Sequence, residues 1–179
     1  MENMKAYMDE IDSPMGQIDF ATDEEGSFLG LRFRESRNPE TLEEELKRAG
    51  FDLVDRDVWT FMRTTGAREQ LVEYFAGERR SFDLPVARKG SDFEQAVWEE
   101  LSRIPFGQTS TYGEVAEAIG YPGEAVEVGK ACAANPVLVV IPCHRVVSAD
   151  GSLKGYAAGL PIKARLLDFE EESQKPLFA

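Results

Sequence analysis

The stretch "TSTYGEVAEAIGYPGEAVEVGKACAANP", residues 109–136, predicts two short helices joined by a tight turn. The first helix has a capped start and ends at Gly120, and the second follows a Tyr-Pro-Gly turn and ends at Asn135 and Pro136. Two short helices packed on a longer one are typical of a helix-turn-helix unit. The pattern alone does not establish DNA binding, because many helical hairpins bind nothing.

The longer helix is predicted directly before this pair, in "SDFEQAVWEELSRIPFG", residues 91–107. Ser91 is its expected cap, and Pro105 and Gly107 are expected to stop it. Its apolar side chains recur at helical spacing, at Phe93, Val97, Leu101 and Ile104.

The N-terminal part is predicted to combine a hairpin with helices. "GQIDFAT" (16–22) and "FLGLRF" (28–33) alternate between polar and apolar residues around the turn "DEEGS". "TLEEELKRAG" (41–50) has a threonine cap, a glutamate three residues later and a closing glycine, which predict a short helix. A second helix is predicted from about Gly66 to Phe75.

A break in periodicity separates the two parts. "GERRSFDLPVARKGS" (77–91) mixes glycine, proline and charge, and we place a domain boundary near residues 85 to 90. The expected organisation is a first domain over 1–87, a second over 88–171 and a loose tail over 172–179.

The charge and the hydropathy limit the possible partners. Acidic residues outnumber basic ones by 33 to 20, so the net charge is −13, which argues against loose electrostatic attachment to nucleic acid or to an anionic membrane. An acidic surface would also suit a salt-rich cytoplasm.

No apolar run approaches the roughly 20 residues that cross a bilayer, and the first residues do not resemble a signal peptide. We expect a cytoplasmic protein with no membrane association.

The chemistry concentrates in "VVIPCHRVVSADG", residues 139–151, which holds the only histidine and one of the two cysteines. Its β-branched residues predict a buried extended segment interrupted at Pro142. A histidine can assist formation of a thiolate, but neighbours in an extended segment point to opposite faces, so Cys143 and His144 would need a local turn or a bridging water. Candidates to orient the imidazole are Glu170, Glu171 and Glu172.

Other uses of these residues are less well matched. A buried cysteine is usually a small apolar residue, and Cys132, among alanines of a helix, fits that description. One histidine and two cysteines lack the paired spacings of a zinc site, so we expect no metal, and no cofactor is implied.

Three segments carry a family resemblance: "FGQTSTYGEVA", "NPVLVVIPCHRVV" and "GYAAGLPIKARLLDFE". They resemble the O6-alkylguanine-DNA alkyltransferases, also called methylated-DNA–protein-cysteine methyltransferases, from about Asp92 to Glu170. "SPMGQIDFATDEEGSFLGLRF" and "LVEYFAGERRSFDLP" resemble the family more loosely. The resemblance implies an α/β plus α fold: an N-terminal ribonuclease-H-like sheet domain and a C-terminal helical domain with a winged-helix-like helix-turn-helix.

The resemblance also implies roles for single residues. Cys143 would accept the alkyl group, His144 would act as base through a bound water, and Glu170 would orient His144. Asn135 would hold the active-site loop, and Tyr112 would lie beside the damaged guanine. The implied pocket wall consists of Tyr156, Ala157, Ala158 and Gly159.

The implied partner is double-stranded DNA that contains O6-alkylguanine, entered from the minor groove with the damaged base flipped out. The protein would be a monomer, and each molecule would repair one base, since a thioether is not readily hydrolysed. The implied DNA-contact positions are Tyr112, Val126, Glu127, Lys130 and Arg145. Val126 stands where the family has an arginine, Glu127 where a small residue is usual, and Lys130 where the family has a glycine. Arg145 could anchor a phosphate or pair with an internal acid.

Two other functions remain open at this point. One is a module that binds alkylated DNA with little turnover, although relatives of that kind lack the acceptor cysteine. The other is a cysteine hydrolase, suggested by Cys, His and Glu together, which would need an oxyanion hole and multiple turnover.

Overall fold

The computed structural model describes residues 4–36, 38–55 and 57–175, and the chain divides into two compact units, Met1–Arg88 and Lys89–Ala179. The described strands and helices of the first unit are β1 (Met4–Ser13), β2 (Gly16–Thr22), β3 (Phe28–Phe33), α1 (Leu42–Arg48), β4 (Phe51–Val54) and α2 (Val58–Phe75). Its strands form one mixed sheet in the order β3-β2-β1-β4, in which β1 and β4 are parallel and the other pairs antiparallel.

The predicted hairpin is confirmed as β2 and β3. Ile18 pairs with Phe33 and Phe20 with Leu31, and all four side chains are buried. The turn between the strands closes because Asp23 accepts backbone hydrogen bonds from Glu25 and Ser27. This face of the hairpin therefore supplies part of the core of the first unit, and Ala21 and Leu29 join a second buried cluster with Leu42 and Leu46.

The predicted start of the second helix is wrong, since α2 begins at Val58 rather than near Gly66. Asp57 caps the helix by accepting hydrogen bonds from two backbone N–H groups. The first turns expose Val58, Trp59, Phe61 and Met62 to solvent. Because these apolar side chains do not face a core, they give no one-sided stripe, and periodicity detects only the later part of the helix.

The second unit is helical. Its described elements are α3 (Asp92–Leu101), β5 (Ser110–Thr111), α4 (Tyr112–Ala118), α5 (Ala125–Ala133), a 3-10 turn (Cys143–Arg145), β6 (Val146–Val147) and α6 (Leu160–Glu172). The predicted caps of α1 and α3 are confirmed, because Thr41 and Ser91 each form a reciprocal capping box with the glutamate three residues later. α3 ends at Leu101, before Pro105, because the chain tightens into i to i−3 hydrogen bonds at Arg103 and Ile104.

The helix pair α4 and α5 confirms the predicted helix-turn-helix, and the mixed sheet with a helical second unit confirms the predicted fold class. The two-residue strands β5 and β6 pair in parallel, Ser110 with Val146 and Thr111 with Val147. This pairing places Ser110, two residues before the start of α4 at Tyr112, beside Val146, which directly follows the 3-10 turn that begins at Cys143. No helix in the described ranges is long and apolar enough to cross a membrane.

The segment before Cys143 is not extended as predicted. The Ile141 N–H donates to the carbonyl of Val137 (3.0 Å), Val139 has a φ of 72°, and Pro142 leads directly into the 3-10 turn. Val137, Val139 and Ile141 are all buried. The β-branched run therefore reflects burial of a compact turn rather than strand pairing.

The predicted tail over 172–179 falls partly outside the described residues. α6 continues to Glu172 and a turn follows at 173–175, whereas residues 176–179 are not among those described.

The capping of α3 gives a stability prediction. Ser91→Ala removes the hydroxyl that accepts the Glu94 N–H, so we expect the free energy of unfolding to fall by about 1 kcal/mol. Urea unfolding followed by circular dichroism measures the loss. Ser91→Thr keeps the capping hydroxyl and is the control. Equal losses in the two variants would contradict the assigned cap.

Candidate active site

Cys143 begins the 3-10 turn and is held there by Asn135. The Asn135 amide donates to Cys143 Sγ (3.1 Å) and to the carbonyl of Ile141 (2.8 Å), and its oxygen accepts the Val137 N–H (2.9 Å). Asn135 is fully buried directly after α5. One amide side chain thus fixes both the thiol and the loop that leads to it.

A buried carboxylate organises the other side of this turn. Glu170 Oε1 lies 2.7 Å from His144 Nε2, and the Arg145 guanidinium donates to both oxygens of Glu170, from Nη2 to Oε1 (2.8 Å) and from Nε to Oε2 (2.9 Å). The Gly107 N–H also donates to Oε2 (2.9 Å), and Arg145 Nη1 donates to the Ile104 carbonyl (2.7 Å). Among the three predicted glutamates, the structure therefore brings Glu170 to His144.

The protonation states follow from burial and partners. Burial acts to raise the pKa of Glu170, but the hydrogen bonds from His144 and Arg145 and the positive charge of Arg145 outweigh it and hold that pKa well below its ordinary value. Burial lowers the pKa of His144, and Glu170 only partly opposes this effect. The site therefore holds an ionised carboxylate and a neutral imidazole.

These states also fix the tautomer of His144. An ionised carboxylate only accepts hydrogen bonds, so Nε2 must carry the ring proton and donate it to Glu170. In a neutral ring Nδ1 is then the basic nitrogen. Nδ1 is buried and has no hydrogen-bond partner in the part of the chain that the structure describes. The imidazole is thus oriented as a base with a free acceptor.

A cavity of about 680 Å³ opens beside Cys143 and is lined mainly by small and apolar residues. Of the predicted wall residues, Tyr156 and Ala157 line it. Ala158 is buried and Gly159 occupies the N-cap position of α6, so neither is a lining residue.

Tyr112 lies at the cavity, at the start of α4, and its hydroxyl donates to the Lys154 carbonyl (2.8 Å). Burial, followed by the nearby Cys132 and Cys143, raises the pKa of Tyr112 to about 12. The phenol therefore keeps its proton at neutral pH, and its O–H is donated to the Lys154 carbonyl.

The second cysteine has a more specific location than the sequence suggests, because Cys132 lines the same cavity. Burial, with a contribution from Cys143, raises the pKa of the Cys132 thiol far above its usual range. Cys132 is therefore an inert thiol at neutral pH, in keeping with the expectation of an apolar role.

The predicted DNA-contact residues separate into exposed and buried ones. Val126 on α5 is 73% exposed and lines the cavity, and Lys130 pairs with Glu127 (2.6 Å) on the same helix. Arg145 is only 5% exposed and is bound to Glu170, so its placement among DNA contacts is corrected: it pairs with the internal acid. No group of three potential metal ligands occurs within the described ranges.

Sequence reasoning missed one polar residue at this site. Lys163 is fully buried, and its ammonium contacts Tyr112 and the backbone around the cavity. The signal that could have found it is helical spacing, since Lys163 shares a face of α6 with the buried Leu166 and Glu170.

The carboxylate of Glu170 gives the second prediction. Glu170→Gln leaves the buried Arg145 guanidinium without its counter-charge, so we expect the free energy of unfolding to fall by about 3 kcal/mol at pH 7. A group with a depressed folded-state pKa stabilises the fold above its unfolded pKa, about 4.3, and loses that effect as the pH falls. The difference between wild type and variant should therefore shrink below about pH 4.

Chemical unfolding at several pH values tests this prediction. Glu171→Gln is the matched control, because Glu171 is the exposed neighbour on the same helix. A Glu170 variant as stable as the Glu171 variant would show that the buried pair is not needed for the fold.

Comparison with known proteins identifies the family. A model of the 6-O-methylguanine DNA methyltransferase DNA binding domain matches residues 92–172, and a model of the ribonuclease-like domain of the same proteins matches residues 6–87. The methylated-DNA–protein-cysteine methyltransferase of Methanosarcina barkeri (strain Fusaro) is 40% identical over 171 residues, which cover 93% of this chain and 98% of that protein. That of Methanosarcina acetivorans is 50% identical over 104 residues, 58% of this chain and 67% of its own.

Solved structures agree with this assignment. The Mycobacterium tuberculosis O6-methylguanine methyltransferase has a TM-score of 0.79 at 37% identity, with 96% of both chains covered. The structure of Mycobacterium tuberculosis OGT in complex with DNA has a TM-score of 0.76 at 37% identity, with 92% of both chains covered. The family resemblance of the sequence is confirmed, and this chain belongs to the 6-O-methylguanine DNA methyltransferase family.

Proposed function

We propose that this chain repairs DNA by moving the alkyl group of O6-alkylguanine onto Sγ of its own Cys143. The observation that carries the proposal is a buried cysteine at the wall of a large apolar cavity, followed in the same 3-10 turn by a neutral histidine whose Nδ1 is basic and has no hydrogen-bond partner among the described residues. In the proposed reaction a planar base would enter this cavity and present its alkyl group to Cys143 at the wall. Membership of the family supports the same reaction.

The first step is formation of the thiolate. His144 Nδ1 takes the Cys143 proton through one water, and the resulting imidazolium is stabilised by its hydrogen bond to Glu170. The Asn135 amide donates to Sγ and so favours a negative sulfur in the position required for attack.

The second step is displacement at the alkyl carbon. The thiolate forms the S–C bond while the C–O6 bond breaks, and the electron pair of that bond passes to the guanine. Tyr112 lies at the cavity with its phenol protonated, and its O–H, which donates to the Lys154 carbonyl in this structure, would turn to the leaving base as charge develops there. The guanine anion takes up one proton, which balances the proton that His144 received from Cys143, and the products are unmodified guanine and a stable thioether, so one chain repairs one base.

DNA engagement is proposed through the helix-turn-helix. α5 would enter the minor groove, the damaged nucleotide would be flipped into the cavity, and Val126 at the cavity edge would occupy the space that the base leaves. We place this activity in the cytoplasm, on double-stranded DNA, with the protein acting as a monomer.

Transfer to Cys143 is tested by intact-protein mass and peptide mapping. After incubation with a duplex that contains one O6-methylguanine, we expect the mass of one methylene group on the peptide with Cys143, saturating at one per chain. Cys143→Ser should abolish the gain. Cys132→Ser, the control in the same cavity, should retain it.

The outcomes also separate the rival functions. Methyl removal that continues without Cys143 would refute the proposal. Tight binding of the modified duplex with no gain in mass would indicate a damage-binding module. Turnover beyond one equivalent would indicate a hydrolase.

The role of Val126 is tested by replacing it with arginine, the residue that the family has at this position. Val126→Arg should tighten binding to methylated duplex by about tenfold, because the longer cationic side chain fills more of the gap and contacts the orphaned base and phosphates. Fluorescence titrations at matched salt measure the affinity. Val72→Arg makes the same change at an exposed valine of α2 and controls for net charge. Equal affinity of the two variants would place Val126 outside the DNA-contact surface.

A further inference from the structure

The first two turns of α2 reverse the usual arrangement of a surface helix. Their inward side chains include Thr60 and Thr64, which are buried, whereas their outward side chains are large and apolar. The exposed fractions are 66% for Val58, 60% for Trp59, 59% for Phe61 and 63% for Met62. We call these four residues the α2 patch. A surface helix ordinarily turns its apolar side to the core, so the α2 patch is left uncovered by the fold of the first unit.

Helical spacing makes the α2 patch one continuous surface. Val58 lies three residues before Phe61 and four before Met62. Trp59 lies three residues before Met62, so neighbouring side chains of the patch are within reach of one another. The patch holds four of the nine exposed large apolar side chains in the described part of the chain. A cluster of this kind, rich in aromatic residues and methionine, is typical of a surface that a second protein covers.

The two ends of the α2 patch differ in charge. Asp57 precedes the patch, is exposed, and caps the helix by accepting hydrogen bonds from two backbone N–H groups. Asp55 is a second exposed acid at this end. Arg63 directly follows the patch, is exposed, and donates from Nη1 to a backbone carbonyl, that of Glu24 (2.6 Å), rather than to an acid. A covering helix must therefore bring a cation to the Asp57 end and an anion to the Arg63 end.

The same helix from a second copy of the chain carries the required apolar pattern. A two-fold axis at the level of Thr60 relates α2 to an antiparallel second copy of itself. Val58 of one copy then faces Met62 of the other. Trp59 likewise faces Phe61, so every side chain of the patch meets an apolar one.

This axis also places unlike charges together. Arg63 of each copy lies at the level of Asp57 of the other copy, and the contact occurs twice in the pair. A parallel arrangement would instead set Asp57 beside Asp57, and like charges across an interface are unfavourable. Charge complementarity therefore favours an antiparallel second copy as the occupant of the α2 patch.

We infer that two copies of this chain associate through the α2 patch in this antiparallel arrangement. Four side chains from each copy cover on the order of 1,000 Å² in total, the lower limit for a specific interface, so we expect a dissociation constant on the order of 100 µM. The net charge of −13 on each copy opposes the association in dilute salt. Cys143 and its cavity belong to one chain, so the proposed transfer needs only the monomer, and the pairing is a separate property of the concentrated protein.

Sedimentation equilibrium measures the association from about 10 µM to about 1 mM protein, in about 1 M KCl, where the Debye length is only about 3 Å. We expect the weight-average mass to rise from that of one chain toward that of two. Trp59 reports on the same event, because it is exposed whereas Trp98 is buried. Front-face emission should therefore move to shorter wavelength over the same concentrations. A protein that keeps the mass of one chain at the highest concentration would overturn the inference.

The same measurement on two variants tests the surface itself. Phe61→Ser combined with Met62→Ser removes apolar area at exposed positions, so we expect the association to weaken by about tenfold. Val72→Ser is the control, because Val72 is an exposed valine of the same helix outside the patch, and it should associate as the wild type does. Circular dichroism checks the fold of both variants. Undiminished association of the double variant would assign the pairing to another surface and refute the inference.

Disulfide trapping tests the antiparallel register. All chains carry Cys132→Ser and Cys143→Ser, which remove the native thiols. Chains with Val58→Cys are mixed with chains with Met62→Cys and oxidised by air. The mixed disulfide should form about tenfold faster than a disulfide between two like chains, since the axis places these two positions within reach of an S–S bond. Equal rates would contradict the antiparallel arrangement.

A peptide titration distinguishes a second copy from a different partner. The probe is a synthetic amphipathic helix of leucine and lysine, which offers an apolar stripe and cations to the acidic end of the patch. If the protein stays a single chain at every concentration and this peptide shifts the emission of Trp59, the α2 patch binds a basic partner helix, and the association of two copies is refuted.

Discussion

The second unit depends on the hydrogen bonds that the buried carboxylate of Glu170 accepts. This carboxylate receives hydrogen bonds from His144 and Arg145 in the 3-10 turn and from the Gly107 N–H in the loop after α3, while it is itself part of α6. Three segments distant in sequence therefore converge on one buried anion. Such a charge is stable inside a protein only when its lone pairs are occupied, and here the partners occupy both oxygens.

This constraint has a chemical consequence at the neighbouring residue. Because Glu170 is ionised and Nε2 of His144 must donate to it, the basic nitrogen of the ring is directed away from the carboxylate. Arg145 balances the charge of Glu170, so the imidazole need not be protonated to do so. The same arginine that stabilises the fold thereby keeps the histidine neutral and able to accept a proton.

Local chemistry made much of the fold predictable. Thr41 and Ser91 were identifiable as caps because a hydroxyl and a glutamate three residues apart satisfy backbone groups without help from the rest of the fold. The hairpin was predictable because apolar residues recur at alternate positions of both strands, with Ile18 and Phe20 opposite Phe33 and Leu31, around a turn of polar residues. The start of α2 was not predictable, because its first apolar residues face solvent and so do not form the one-sided apolar stripe that indicates a helix.

The candidate site was predictable in its residue types and less so in its geometry. Cys143 and His144 were identified by their adjacency and by the family resemblance, but their placement depends on a 3-10 turn that a run of β-branched residues conceals. From its chemistry, Arg145 could bind either a DNA phosphate or an internal acid. Its buried position in the structure identifies Glu170 as the partner. Lys163 was missed because an ammonium that binds backbone carbonyls has no partner residue that a sequence can show.

The charge of the chain bears on how DNA binding can be achieved. With a net charge of −13, and with Lys130 on α5 already paired to Glu127, we expect counterion release to contribute little to the attraction between this protein and a duplex. Val126 adds apolar contact but no charge. Under the proposed function, a larger share of the binding free energy must therefore come from burying the flipped base in the cavity beside Cys143. Undamaged DNA offers no alkyl group to that apolar wall, so under the proposed function the cavity, and not the surface charge, would supply the selectivity for the damaged base.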